Sequence, residues 1–86
     1  MKTSLLLQEL EQLADRLGWE IRYEKGDFQS DCCQKSGQRL IFIQKNASAG
    51  ERLHHIARIL SQEDLDGVFL LPQVRNVIDE SRHHSP

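Results

Sequence analysis

The 86-residue sequence has few of the residues that give a small protein covalent or membrane support. It has two cysteines, which are adjacent at Cys32 and Cys33, and two prolines. Adjacent cysteines do not make a disulfide framework, so that class of small secreted domain is excluded. No apolar run approaches the roughly 20 residues that a membrane-spanning helix needs. We therefore expect no membrane span.

Charge of one sign is also missing. Eleven Lys and Arg against thirteen Asp and Glu give a formal net charge of −2. Nucleic-acid-binding domains neutralise phosphates with a surplus of basic residues, so this partner is disfavoured. A local basic patch is the alternative, and it would consist of Arg39, Lys45, Arg52 and Arg58.

What is present is a soluble globular composition, with 38% hydrophobic and 28% charged residues. The first residues lead into an amphipathic pattern rather than a secretory signal, so we expect a cytoplasmic protein. The length predicts one domain over residues 1–80, followed by a flexible tail at 81–86. A chain this short buries only about 60–65% of its unfolded surface, so added burial in a dimer would help it.

Two regular segments open the chain. Leucines recur at helical spacing and predict a helix over about residues 4–17, with Thr3 or Ser4 as its N-cap and Gly18 at its end. Residues 19–24 then alternate between apolar and charged side chains, which predicts a half-buried strand.

Two further strands are predicted on either side of a tight turn at residues 36–37. The first, over about residues 28–35, has a weak pattern, whereas the second, over about 39–44, is apolar on both faces. Such a strand is typically central or covered on both sides, so we expect it to be screened from water on each face. Its apolar side chains are Leu40, Ile41, Phe42 and Ile43.

The last part of the chain predicts two helices. Ser48 and Glu51 have the spacing of a capping box, which begins a central helix, and Pro72 suits the first turn of a C-terminal helix. Residues 68–71 are a short extended stretch and a candidate fourth edge strand. The predicted fold is therefore α+β: a three-stranded antiparallel meander packed by an N-terminal, a central and a C-terminal helix.

Cysteine and histidine are the residues that could carry chemistry. Cys32 and Cys33 are adjacent on a predicted strand and point to opposite faces, which does not suit a shared metal. His54 and His55 lie on a helix where neither has a second ligand one turn later. We predict no catalytic, cofactor or metal site. The alternative is a metal- or redox-linked protein that uses Cys33 with His54 or His55.

The layout of residues 5–62 resembles the minimal core of the ImmA/IrrE-type zinc peptidases. In that family an apolar strand leads through a short polar break into a helix reading roughly Ala-His-Glu-Leu-Gly-His. The order of a capped helix ending in Leu-Gly, an alternating strand, a hairpin and a strand followed by a capped helix is similar here. The residues in comparable places are Ile41, Phe42, Ile43, Asn46, Glu51, Arg52 and Ala57.

The zinc motif itself is absent from this resemblance. Arg58 stands where the first zinc histidine would be, Ile59 replaces the general-base glutamate, and Gln62 replaces the second histidine. An arginine stays protonated and cannot ligate a metal. The resemblance therefore implies a non-catalytic relative. The layout is also similar to a small bacterial protein family of this length, to which no activity is attached.

These observations favour a non-enzymatic protein-interaction or regulatory module that self-associates. Three short helices would leave part of the sheet open, and that part would pair with a second copy or with another protein. The predicted partner is therefore a homodimer mate or an unknown protein. The predicted interaction residues are Ile41, Ile43, His55 and Arg58.

Overall fold

A computed structural model describes residues 1–26 and 31–83. Within these ranges the three helices are α1 (Thr3–Arg16), α2 (Ala49–Leu60) and α3 (Pro72–His83), and the strands are β1 (Trp19–Glu24), β2 (Asp31–Lys35) and β3 (Gln38–Gln44). The α+β class is confirmed, with three helices and one three-stranded sheet. Residues 28–30 of the predicted second strand lie outside the described residues.

The antiparallel meander is wrong. The strand order is β1-β3-β2, with β1 parallel to β3 and β2 antiparallel to β3. The strands run in the directions that a meander would give them, so the prediction failed on which strands are neighbours. The strand β3 is apolar, whereas every residue of β2 is exposed. This order therefore places at the centre of the sheet the strand whose burial removes the most apolar surface from water.

The sheet has one covered and one open face. Ile41 and Ile43 are fully buried in a core shared with all three helices, and we call this side the inner face. Neighbouring residues of a strand point to opposite faces, so Leu40 and Phe42 lie on the outer face. Both are half-buried and lie outside the core cluster. The expectation that β3 is screened from water on both faces is therefore met on the inner face alone.

The two helices predicted to have side-chain caps differ. Ser48 Oγ accepts a hydrogen bond from the Glu51 N–H at 3.2 Å, and the Glu51 carboxylate accepts one from the Ser48 N–H at 3.2 Å. The predicted capping box is therefore confirmed. The N-cap of α1 is Lys2 and no side chain caps this helix, so the prediction of Thr3 or Ser4 as the cap is wrong.

The end of the chain differs from the prediction in two places. Residues 68–71 form no strand, so the sheet described here has no fourth member. The helix α3 begins at Pro72 as predicted but continues to His83, into the expected tail. Arg82 helps to hold this end because its guanidinium donates to the carbonyls of Ser61 at 2.8 Å and Glu63 at 3.1 Å. Residues 84–86 of the predicted tail lie outside the described residues.

Candidate functional site

The strand register separates the two cysteines. Cys32 pairs with Ile41 and so belongs to the inner face, whereas Cys33 pairs with Leu40 and belongs to the outer face. Both cysteines are free and exposed. Burial of its sulfur and the Asp31 carboxylate raise the pKa of the Cys32 thiol, while the positive charge of Arg58 on α2 opposes them. A raised pKa keeps the thiol protonated, and the protonated thiol is the less reactive form.

Cys33 and the two histidines of the predicted pairing lie on opposite sides of the sheet. His54 and His55 lie on α2, which packs on the inner face, and the sheet separates them from the outer face of Cys33. Among the described residues, no group of three or more His, Cys, Asp and Glu side chains could hold a metal ion. Cys32, on the inner face, is the cysteine that shares a side of the sheet with α2.

His55 has an unusual environment for a helix histidine. Its Nδ1 atom is buried and has no hydrogen-bond partner in the part of the chain that the structure describes. Burial, followed by the charges of Arg58 and His54, lowers the pKa of His55. The neutral imidazole is therefore favoured, because protonation would place a second N–H in a position without an acceptor.

The four predicted interaction residues fall into two groups. Ile41 and Ile43 are fully buried in the core of their own chain, so neither side chain can contact a partner from this position. Their half-buried counterparts on the outer face of the same strand are Leu40 and Phe42. On α2, Arg58 is exposed and His55 is half-buried, so both remain accessible to different degrees.

The predicted basic patch is partly used inside the chain. The Arg39 guanidinium forms an ion pair with Glu63, donates to the Leu17 carbonyl at 2.8 Å, and lies 4.2 Å above the centre of the Trp19 ring. The Trp19 indole N–H donates to the same carboxylate of Glu63 at 2.8 Å. These contacts form a half-buried cluster, the Trp19–Arg39–Glu63 cluster, which ties the starts of β1 and β3 to the turn after α2.

A second cation is used in the same way at the other end of the strands. Arg52 donates to the carbonyls of Lys45 at 2.7 Å and Ala47 at 3.0 Å, and lies 4.5 Å from the centre of the Tyr23 ring. Tyr23 in turn donates its phenolic hydrogen to Glu11 on α1. Burial and this hydrogen bond raise the pKa of Tyr23 well above its usual value of 10.0. The cluster joins α1 and β1 to the beginning of α2.

Two surfaces of the described chain combine solvent contact with large apolar side chains. The first, which we call the open side, is the outer face of the sheet at Leu40 and Phe42 together with the edge strand β2, all of whose residues are exposed. The second is a groove of about 330 Å³ between α1 and the start of α3. Phe69 stands at this groove with 75% of its surface exposed.

The sequence reasoning missed these features for different reasons. The Trp19–Arg39–Glu63 cluster joins residues that are 44 positions apart, and no local pattern marks such a contact. The apolar run of β3 predicted a strand with two apolar faces but could not say which face the helices would cover. The opposite charges at the two ends of β2, Asp31 and Lys35, are visible in the sequence and could have marked this strand as a candidate contact surface.

Comparison with known proteins adds no relative to this geometry. No family model, no curated protein and no solved structure matches the chain. The likeness to the zinc-peptidase core therefore stays a resemblance of layout, with Arg58 exposed and Ile59 buried at two of the motif's positions. None of the helices in the described ranges has both the length and the apolar character needed to span a bilayer.

Proposed function

We propose that the protein is a non-enzymatic interaction module that self-associates through the open side of its sheet. One observation carries the proposal: the three helices share the core of the inner face, which leaves Leu40 and Phe42 half-buried on the outer face and every residue of β2 exposed. Apolar side chains next to an unpaired strand edge are features that a second protein chain can cover.

The small size of the domain supports the same proposal. A chain of this length has a thin margin of stability, because so much of its surface stays in contact with water. Covering Leu40 and Phe42 would remove further apolar area from water, and the free energy gained grows with that area. Association would therefore stabilise the folded chain further, because it would cover apolar area that the helices leave in contact with water.

The test is the concentration dependence of mass in solution, measured by sedimentation equilibrium and light scattering. We expect the mass to rise above that of one chain with concentration, and we expect Phe42→Ser to reduce this rise. Phe69→Ser is the matched control, because it removes the same ring from the groove between α1 and α3. Circular dichroism shows whether each variant keeps its fold.

A protein that stays monomeric at all attainable concentrations contradicts the proposal. So does a folded Phe42→Ser variant that associates like the wild type while Phe69→Ser does not. The second result would move the interaction surface from the sheet to the groove.

A further inference from the structure

The edge strand β2 has its unpaired backbone groups at defined positions. Ser36 and Gly37 have φ values of 53° and 79°, so the two-residue turn between β2 and β3 is of the type that joins a tight hairpin. In such a hairpin the flanking pair, Lys35 and Gln38, exchanges both backbone hydrogen bonds. These bonded pairs alternate along the ladder, so the backbone groups of Asp31, Cys33 and Lys35 face β3.

The backbone groups of Cys32 and Gln34 consequently face the free edge. One observation agrees with this assignment: the Cys32 N–H donates to the Asp31 side chain at 2.7 Å, a local bond rather than a strand-to-strand bond. An edge strand with unpaired N–H and C=O groups is a template for another strand. Every residue of β2 is exposed, so the strand is accessible to a second chain.

The sequence of β2 is complementary to its own reverse. In an antiparallel pairing centred on Cys33, the free backbone groups of Cys32 in one copy meet those of Gln34 in the other. Asp31 of each copy then stands opposite Lys35 of the other, and directly opposed charges of opposite sign stabilise a strand pair. If the register shifts by one residue in either direction, Asp31 no longer lies opposite Lys35.

We propose that two copies of the chain join through β2 in this register, as a symmetric dimer with a continuous six-stranded sheet. The dimer would make about four new backbone hydrogen bonds across its centre. The Cys32 N–H would exchange its local bond for one to the second copy, which frees the Asp31 carboxylate for Lys35. This geometry rests on the proposed function and names its first partner, a second copy of the chain.

The symmetry of this pairing extends the open side. A two-fold axis perpendicular to the sheet reverses strand direction and keeps each face on its own side. The helices of both copies therefore lie on the same face of the six-stranded sheet. Leu40 and Phe42 of both copies lie together on the other face. The association that Phe42→Ser reduces is therefore the step beyond this dimer, in which further copies cover that face.

Charge exchange at the ends of β2 is the main test, again by sedimentation equilibrium. Lys35→Glu places a glutamate opposite Asp31 at both ends of the seam, and we expect it to weaken the dimer about tenfold. Asp31→Lys should do the same. The double variant Asp31→Lys with Lys35→Glu restores opposite charges and should return to within about threefold of wild type. Lys25→Glu, which changes an exposed charge outside β2, is the matched control.

Cysteine cross-linking is an independent readout of the register. Cys33 of the two copies would form a pair without backbone hydrogen bonds, with Cα atoms about 4.5 Å apart, which is within the range of a disulfide. Added oxidised glutathione should link them: two thiols and one glutathione disulfide yield one cross-chain disulfide and two reduced glutathiones. We expect Cys32→Ser to cross-link and Cys33→Ser not to.

The outcomes separate the register from the proposed function. An association that resists Lys35→Glu but is lost in Phe42→Ser would overturn the pairing of β2 and leave self-association through the sheet intact. Failure of the double variant to recover would overturn the register, as would cross-linking that depends on Cys32. A wild-type chain that stays monomeric would overturn both.

Discussion

The two faces of strand β3 differ in burial: the inner face belongs to the hydrophobic core, and the outer face does not. On the inner face, Ile41 and Ile43 are fully buried beneath the helices. On the outer face, Leu40 and Phe42 are also large apolar residues but lie outside the core. Residues of the same strand and of similar hydrophobicity therefore have different roles, because the helices pack on one side. Three tests can break or sharpen this contrast.

The largest expected effect is on the inner face. Ile43→Ala should lower the free energy of unfolding by about 3 kcal/mol, because it removes buried methyl groups and leaves a cavity. Leu40→Ala on the outer face should cost about 1 kcal/mol or less, since its side chain is already partly in water. Urea denaturation at a low protein concentration measures both. Equal losses would show that the outer face carries as much stability as the inner face.

The next effect concerns the Trp19–Arg39–Glu63 cluster at one end of the inner face. Glu63→Ala should cost about 2 kcal/mol, because it leaves the indole N–H and the guanidinium without their shared acceptor. Glu63→Gln keeps an oxygen for the indole and loses the charge, so it should cost about half as much. Thermal unfolding of the two variants separates the hydrogen bond from the ion pair. A neutral Glu63→Ala variant would mean that packing alone fixes this end.

The smallest effect is the pH response of His55. Its pKa is lowered in the folded state, so near pH 6.5 the unfolded chain binds more protons than the folded one. The folded state therefore loses no stability through His55 above pH 6.5. As the pH falls through that value, protonation favours the unfolded chain and the free energy of unfolding decreases. His55→Leu should flatten this dependence and raise the stability by about 1 kcal/mol, because the unpaired Nδ1 is removed.

The neighbouring histidine provides the control for that prediction. His54 is exposed, so His54→Leu should leave most of the pH dependence in place. Denaturant unfolding between pH 5 and 8 measures both variants. A wild-type profile that His55→Leu leaves unchanged would show that the half-buried imidazole does not control the response.

Local patterns predicted the pieces of this fold better than their arrangement. Alternation placed β1 at residues 19–24, and the capping box placed the start of α2, because both signals depend on neighbours in sequence. The insertion of β3 between β1 and β2 depends on contacts across the chain, so alternation could not reveal it. The same limit applied to the interaction residues. The apolar run identified β3, but which of its two faces is buried depends on where the helices pack.

The Trp19–Arg39–Glu63 cluster gives the protein an internal optical reporter. Trp19 is the single tryptophan of the sequence, it is 5% exposed, and an arginine lies over its ring. Its fluorescence therefore reports whether the turn after α2 has docked on the strands, a closure that spans half the chain. A rapid-mixing experiment on the unmodified protein would time that closure directly, without any attached dye.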